Sequence, residues 1–141
     1  MIEKSAGEIW NDLLTDIAKP GKLTLAYSGG IDSRFLAHAA LYAGVQVELV
    51  HACGPHVAPE ETRYALDWAA SRGIAARTLR FDPLTLPEVA AGGRERCYAC
   101  KRLLFERIMA VADGRVCDGS NASDLAQHRP GRRALRELGV C

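Results

Sequence analysis

Residues 27–33 have the sequence Tyr-Ser-Gly-Gly-Ile-Asp-Ser and separate two segments of different hydrophobic pattern. Residues 23–27, before the glycines, are short and apolar, which is typical of a buried parallel strand. Residues 34–43, after them, place their apolar side chains on one face of a helix. The sequence therefore predicts a loop that leads directly from a strand into a helix.

The amides and side chains of this loop suit an anion. Gly29 and Gly30 can adopt positive φ and bring the backbone close to a ligand, and the first-turn amides of the following helix point outward. Ser28 and Ser33 add hydroxyl donors, and the carboxylate of Asp32 can hold a Mg²⁺ ion that carries phosphates. A glycine turn closed by a serine cap is the alternative interpretation of the two glycines alone.

The string Ser-Gly-Gly-Ile-Asp-Ser (residues 28–33) resembles the pyrophosphate loop, or PP-loop, of the ATP pyrophosphatases. That superfamily includes GMP synthetase, asparagine synthetase and tRNA thiolation enzymes. The string is not a Walker loop, because no Gly-Lys-Ser/Thr follows it. The resemblance implies that Tyr27 and the loop residues contact ATP. It also implies cleavage between the α and β phosphates, so that a substrate oxygen is adenylated and pyrophosphate leaves.

The composition fits one soluble globular domain over residues 1–141. Hydrophobic residues make up 48% and charged residues 25%, and no apolar run approaches the ~20 residues of a membrane span. No basic-then-apolar leader is present, so we expect a cytoplasmic protein without a membrane partner. The formal net charge of +1 argues against a general nucleic-acid binder. Residues 1–93 carry 8 Lys and Arg against 11 Asp and Glu, whereas residues 94–141 carry 10 against 6, so the basic end is expected to face an anion.

The remaining segments predict an α/β fold. A first helix follows a capping box at Ser5 and Glu8, and further strands are predicted near residues 45–50, 74–81 and 116–117. We expect a three-layer, doubly wound parallel sheet of four to five strands in the order 3-2-1-4-5, with helices on both faces. Ligands bind outside the carboxyl ends of such strands. His51, at the end of the second strand, is therefore a candidate for lining an adenosine pocket.

Five cysteines are present, and we expect them to be reduced, because a cytoplasmic compartment keeps thiols reduced. Cys97 and Cys100 lie three residues apart at a helix entrance, where the helix dipole and nearby cations favour thiolates. This pair alone fits half a zinc site, a redox pair, two ligands of an iron–sulfur cluster or two unrelated thiols. Together with Cys141, it provides the three thiols that a [4Fe–4S] cluster with one open iron needs.

Four strings of the sequence resemble the LarE family in order and spacing. They are Ser-Gly-Gly-Ile-Asp-Ser at 28–33, Arg-Cys-Tyr-Ala-Cys-Lys at 96–101, Asp-Gly-Ser-Asn-Ala-Ser-Asp at 118–124 and Arg-Pro-Gly-Arg-Arg-Ala-Leu-Arg-Glu-Leu-Gly-Val at 129–140. The family consists of ATP-dependent sulfur transferases that build the nickel-pincer nucleotide. The resemblance implies that ATP adenylates a pyridinium carboxylate of a mononucleotide and that sulfur then displaces AMP. It further implies a [4Fe–4S] cluster on Cys97, Cys100 and Cys141.

Residue roles follow for the positions that match these motifs. The residues expected to bind the phosphates, with the help of Mg²⁺, are Ser28, Gly29, Gly30, Asp32 and Ser33. The residues expected to flank the α-phosphate are Lys101, Asp118, Gly119 and Asn121. A planar guanidinium binds phosphate through two hydrogen bonds, so the candidates for the substrate's phosphate are Arg129, Arg132 and Arg133. The expected catalytic group comprises Asp32, Lys101 and Cys141.

Members of the family continue well past the position of Cys141, into a segment that helps to build the substrate site and the oligomer. We therefore expect either a homo-oligomer or a second chain that supplies this part. Two other functions remain open from the sequence. One is a tRNA-thiolation-like PP-loop enzyme, and the other is a non-catalytic module that binds ATP or AMP.

Overall fold

The computed structural model describes residues 3–93, 95–119 and 131–141. Its strands are β1 (Lys22–Ala26), β2 (Gln46–Cys53), β3 (Ala75–Arg80) and β4 (Arg115–Cys117). Its α-helices are α1 (Ala6–Ala18), α2 (Ile31–Tyr42), α3 (Pro59–Ser71), α4 (Pro87–Ala90), α5 (Arg96–Val111) and α6 (Gly131–Leu138). A short 3₁₀ helix, Pro83–Thr85, precedes α4.

The four strands form one parallel sheet in the order β3-β2-β1-β4. Strand β1 lies next to both β2 and β4, so its carboxyl end is where the order reverses and where doubly wound sheets bind ligands. This confirms the predicted α/β class and the order of the first four strands. Helix α1 also begins as predicted, with the capping box between Ser5 and Glu8.

The position of a fifth strand is taken by the end of the chain. Cys141 donates its backbone N–H to the carbonyl of Val116 at 3.1 Å, and its own carbonyl accepts from Asp118 at 2.8 Å. This pair of hydrogen bonds is the register of a parallel neighbour, and it places Cys141 directly beside Cys117. Among the described residues the sheet therefore has four strands, and at the position predicted for a fifth strand a single residue pairs with β4.

Side chains alternate between the two faces of the sheet and form two buried layers. Leu23, Leu25 and Tyr27 point to one face, which α1, α2 and α3 cover. The opposite face includes Val50 and Val116, and α5 and α6 cover it. Helices α2 and α3 carry small, fully buried residues that let them approach the sheet closely. These residues are Ala37, Ala39, Ala40, Ala65 and Ala69. The three-layer arrangement expected from the sequence is therefore present.

Among the described residues, no helix combines the length and the apolar character that crossing a membrane requires.

Candidate functional site

Strand β1 delivers residues 27–33, hereafter the 27–33 loop, to the carboxyl edge of the sheet. The backbone N–H of Tyr27 donates to Val50 at 2.9 Å, which continues the β1–β2 pairing by one residue. Its side chain is 2% exposed, and the phenol donates to the carbonyl of Ala65 in α3 at 2.8 Å. Burial raises the pKa of the Tyr27 phenol, so it remains a neutral donor. Tyr27 thus fastens the entrance of the loop to α3.

Inside the loop, the backbone passes close to α3 and is held by its own serines. Gly29 has a φ of +89°, and a Cβ built on it would lie 2.7 Å from the Cβ of Ala65. Only glycine fits this conformation and this space. The N–H of Gly30 donates to Ser28 Oγ at 3.1 Å, and Ser28 Oγ lies 3.2 Å from Ser33 Oγ. The Ser33 hydroxyl also donates to the carbonyl of Gly30 at 3.2 Å, so both serines take part in the hydrogen bonds that hold the loop.

The loop ends at the N-terminus of α2 in a form that suits an anion. The N-cap residue is Gly30, which has no side chain that could cap the first-turn amides. The first backbone hydrogen bond of the helix runs from Arg34 N–H to the carbonyl of Gly30 at 3.0 Å. Amides at the start of a helix and the helix dipole together favour bound phosphate. The structure therefore brings the predicted phosphate residues together at one helix end: Ser28, Gly29, Gly30, Asp32 and Ser33.

An open cavity of about 510 Å³ lies over this loop. Ser28, Gly29 and Gly30 form one wall, and three residues of α3 form the other: Glu60, Glu61 and Tyr64. Arg34 of α2 spans the two helices, since its guanidinium donates to the Tyr64 hydroxyl at 2.9 Å. The α3 wall was not predicted from the sequence. A signal for it was available, because Pro59 favours a helix start immediately after the carboxyl end of β2.

His51 does not line this cavity. It is 2% exposed, and its Nδ1 lies 2.9 Å from the carbonyl of Tyr27 while its Nε2 lies 3.1 Å from Thr62 Oγ1. The prediction that His51 contacts adenosine is therefore corrected to a supporting position between β2, the loop and α3. The physical reason is burial, since a histidine enclosed by helix and sheet needs both ring nitrogens paired.

The residues after β4 meet the loop from its other side. A Cβ on Gly119 would lie 3.1 Å from the backbone N of Ser33 and 3.3 Å from the carbonyl carbon of Asp32. Gly119 therefore packs over the first turn of α2, and Asp118 directly precedes it. That Asp118 and Gly119 flank the α-phosphate stays a prediction. Asn121, the fourth residue predicted to flank the α-phosphate, lies outside the described residues.

Helix α5 carries Lys101 and the two thiols Cys97 and Cys100. Lys101 is half-buried, with its Nζ 5.6 Å from the centre of the Phe105 ring, and Cys97 is exposed. Burial raises the pKa of the half-buried Cys100 thiol, an effect that Lys101 opposes and Cys97 reinforces. The expectation that the helix entrance favours a thiolate is wrong for Cys100, because desolvation outweighs the nearby cation.

The raised pKa of the Cys100 thiol predicts how this residue reacts with an alkylating agent. Only the thiolate reacts, so the rate of carbamidomethylation at Cys100 should rise with pH and reach its midpoint above the pKa of an ordinary cysteine. Lys101→Met should move the midpoint further up, and Cys97→Ser should move it down. Alkylation rates measured peptide by peptide across a pH series test this. A Cys100 midpoint below that of a free cysteine would contradict the burial argument.

Cys141 forms a disulfide with Cys117, with the two Cα atoms 4.5 Å apart. The expectation that all five cysteines are reduced is therefore wrong in this structure, because neighbouring parallel positions bring these two together. Among the described residues, no group of three His, Cys, Asp or Glu side chains could hold a metal ion. The donor set predicted for a [4Fe–4S] cluster, Cys97, Cys100 and Cys141, is thus not assembled, and the site does not fit that group as it stands.

The predicted arginines for the substrate's phosphate divide into three cases. Arg133 pairs with Glu95 and Glu137, and its guanidinium lies 4.1 Å from the centre of the Tyr98 ring. It therefore joins α6 to the first turn of α5, which local charge alone did not reveal. Arg132 is half-buried on α6, and Arg129 lies outside the described residues.

No family model matches the chain, but proteins similar in sequence were found. The chain is 34% identical over 120 residues to the uncharacterised protein slr1717 of Synechocystis sp., covering 82% of this chain and 45% of that protein. It is 27% identical over 125 residues to pyridinium-3,5-bisthiocarboxylic acid mononucleotide synthase of Lactiplantibacillus plantarum, covering 84% and 45%. The chain spans a little under half the length of these curated relatives.

Solved structures agree on the fold. An NMN synthetase from Francisella tularensis superposes with a TM-score of 0.69 at 20% identity, over 86% of this chain and 57% of that one. An NH₃-dependent NAD synthetase from Campylobacter jejuni gives a TM-score of 0.67 at 15% identity, over 87% and 60%. Together with the 27–33 loop and the sequence relatives, these likenesses confirm the resemblance drawn from the motifs, which is to LarE-like proteins of the PP-loop family.

Proposed function

We propose that this chain takes part in ATP-dependent activation of a carboxylate by adenylation, followed by transfer of sulfur to the activated acid. The observation that carries the first step is the 27–33 loop, where Ser28, Gly29 and Gly30 border an open cavity and lead into a helix N-terminus without a side-chain cap. The relative that is named as a synthase of a bisthiocarboxylic acid mononucleotide supports the second step. It also suggests a pyridinium carboxylate mononucleotide as the substrate.

In this proposal the loop holds the β and γ phosphates of ATP. The amides at the start of α2 and the hydroxyls of Ser28 and Ser33 donate to the phosphate oxygens. Asp32 lies in the first turn of α2 with its side chain exposed, and a single carboxylate together with phosphates suits Mg²⁺. When bound, Mg²⁺ supplies charge neutralisation on the phosphates.

Besides ATP and the substrate, the chemical steps need one co-reactant, which is the sulfur donor. A carboxylate oxygen of the substrate attacks the α-phosphorus, the bond to the β-phosphate oxygen breaks, and pyrophosphate leaves with that electron pair. A sulfur nucleophile then attacks the acyl carbon, and AMP leaves, so that a thiocarboxylate remains. Lys101, Asp118 and Gly119 are proposed to flank the α-phosphate, and Asn121 joins them.

The remaining assignments concern sulfur and the substrate's own phosphate. Cys141 is the proposed thiol, and Arg129 and Arg132 are the proposed phosphate contacts, whereas Arg133 is already held by acidic partners. Because three thiols are not gathered in this structure, no step is assigned to an iron–sulfur cluster.

Pyrophosphate release tests the proposal. The full chain is incubated with ATP, Mg²⁺ and pyridinium-3,5-biscarboxylic acid mononucleotide, and ATP binding is measured separately by calorimetry. We expect Asp32→Asn to reduce the rate of pyrophosphate release about 100-fold, because it removes the charge that faces Mg²⁺. Asp67→Asn, which makes the same change at an exposed site on α3, should leave the rate unchanged.

Two outcomes would contradict the proposal. ATP binding without pyrophosphate release from the wild-type chain would indicate a non-catalytic nucleotide-binding module. Release that depends on added tRNA, and not on the mononucleotide, would favour a tRNA-thiolation-like enzyme.

A further inference from the structure

We propose that Arg34 and Tyr64, hereafter the Arg34–Tyr64 pair, bind the terminal phosphate of the nucleotide and so select a triphosphate over a diphosphate. This inference rests on the proposed binding of ATP and adds two residues to the contacts assigned above. Both residues lie outside the 27–33 loop, one on α2 and one on α3.

Arg34 reaches back from α2 toward the loop. Its backbone N–H donates to the carbonyl of Gly30, so it lies one turn into the helix. Side chains of an α-helix lean toward its N-terminus, which directs Arg34 to the loop end of α2. Its guanidinium donates to the Tyr64 hydroxyl at 2.9 Å. The guanidinium carbon lies 5.5 Å from the centre of the Tyr64 ring. The cation is therefore held against the wall that faces the loop.

Tyr64 presents a hydroxyl to the cavity. It is 54% exposed and lines the cavity opposite Ser28, Gly29 and Gly30. The neighbouring residue, Ala65, packs against Gly29, which fixes the position of this part of α3 relative to the loop. A phenol can accept and donate at the same time. Because its oxygen accepts from Arg34, its own hydrogen can donate to a ligand in the cavity.

The guanidinium has a donor to spare. Arg34 is half-buried, and its Nε is buried without a hydrogen-bond partner among the described residues. A buried donor that is left unpaired costs about 1–3 kcal/mol, so such a group calls for a functional explanation. Phosphate oxygens are strong acceptors for a guanidinium, which can hold them through two hydrogen bonds. A bound phosphate would supply the acceptor that is missing.

The charges around the cavity require a cation at this place. Glu60 and Glu61 lie on the same wall as Tyr64, and none of the described residues that line the cavity is a lysine or an arginine. A terminal phosphate carries about −1.5 to −2 charges near neutral pH, so two carboxylates across from the loop repel it. The guanidinium of Arg34 is always charged. Placed directly behind Tyr64, it offsets this repulsion.

Nucleotide binding without an acceptor substrate tests the inference. Affinities of the full chain for ATP, ADP and AMP are measured by calorimetry with Mg²⁺. We expect the wild-type chain to prefer ATP to ADP. Arg34→Gln should weaken ATP binding at least ~10-fold, weaken ADP binding less and leave AMP binding unchanged, because AMP lacks the outer phosphates. The matched control is Arg72→Gln, which removes an arginine 5.4 Å from the Trp68 ring at the other end of α3. It should leave all three affinities unchanged.

A second variant covers the case in which Arg34→Gln does not fold. Tyr64→Phe keeps the exposed ring and removes only the hydroxyl, and it should weaken ATP binding about 3–10-fold, the value of one hydrogen bond. The two changes together should weaken ATP binding by less than the product of their separate effects, because each disrupts the same pair.

The outcomes separate this inference from the proposed function. If the wild-type chain binds ATP, and the variants keep its preference for ATP over ADP, the inference is overturned while the proposed adenylation stands. A fall in the unfolding temperature of Arg34→Gln with that preference unchanged would have the same meaning, because it would show that the pair only joins α2 to α3. A wild-type chain that binds no ATP would contradict both.

Discussion

Gly29→Ala is expected to lower the free energy of unfolding by about 2–5 kcal/mol, a large part of the stability of a small domain. Two costs combine at this position. The φ of +89° is unfavourable for any residue with a Cβ, and the added Cβ would lie 2.7 Å from that of Ala65. The loop must then shift away from α3, so we also expect ATP binding to be lost. Urea unfolding and calorimetry measure the two effects.

Two further variants separate these costs. Gly21 has a φ of +76° but nothing within 4 Å of its added Cβ, so Gly21→Ala should show the conformational cost alone and bind ATP normally. Ala65→Gly in the Gly29→Ala background should restore part of the lost stability by removing the opposing methyl group. If Gly29→Ala were no less stable than Gly21→Ala, the close contact between the loop and α3 would be contradicted.

Gly119→Val is expected to weaken ATP binding at least ~10-fold, equivalent to about 1.4 kcal/mol. A Cβ here lies 3.1 Å from the backbone N of Ser33, and the branched side chain would cover the amides at the start of α2. The φ of Gly119 is not positive, so its backbone conformation accepts other residues and the fold should persist. Calorimetry with ATP, together with a thermal unfolding curve, measures both quantities.

A graded series strengthens this prediction. Gly119→Ala should have a smaller effect than Gly119→Val, since a single methyl group needs its neighbour to move by only a few tenths of an ångström. Gly7→Ala, at the start of α1 and away from the loop, should leave ATP affinity unchanged. ATP binding by Gly119→Val at wild-type affinity would mean that phosphate does not occupy the start of α2.

Local patterns were enough to predict the fold and the strand–loop–helix arrangement of residues 27–33. The strand before residue 27 and the helix after residue 33 differ in hydrophobic period, and two glycines with two serines suit the junction between them. The capping box at Ser5 and Glu8 and the helix start at Pro59 are also encoded within a few residues. Each of these features depends on neighbours in sequence, so the sequence alone predicts it.

Features that depend on distant residues were not predictable in this way. The Cys117–Cys141 bond arises because residues 24 positions apart occupy neighbouring strand positions. His51 has two buried partners, Tyr27 and Thr62, whose proximity only the folded sheet and α3 create. Arg133 likewise finds Glu95 on another helix. In each case spacing along the chain carried no information about the partner.

The central claim is that the 27–33 loop holds ATP so that a carboxylate attacks its α-phosphorus. The most direct measurement uses substrate whose carboxylate oxygens carry a heavy oxygen isotope, with the AMP product analysed by mass spectrometry. Adenylation followed by displacement with sulfur predicts that each AMP released carries one heavy oxygen from the substrate. AMP formed without the label would contradict carboxylate activation and would indicate that water attacks the nucleotide.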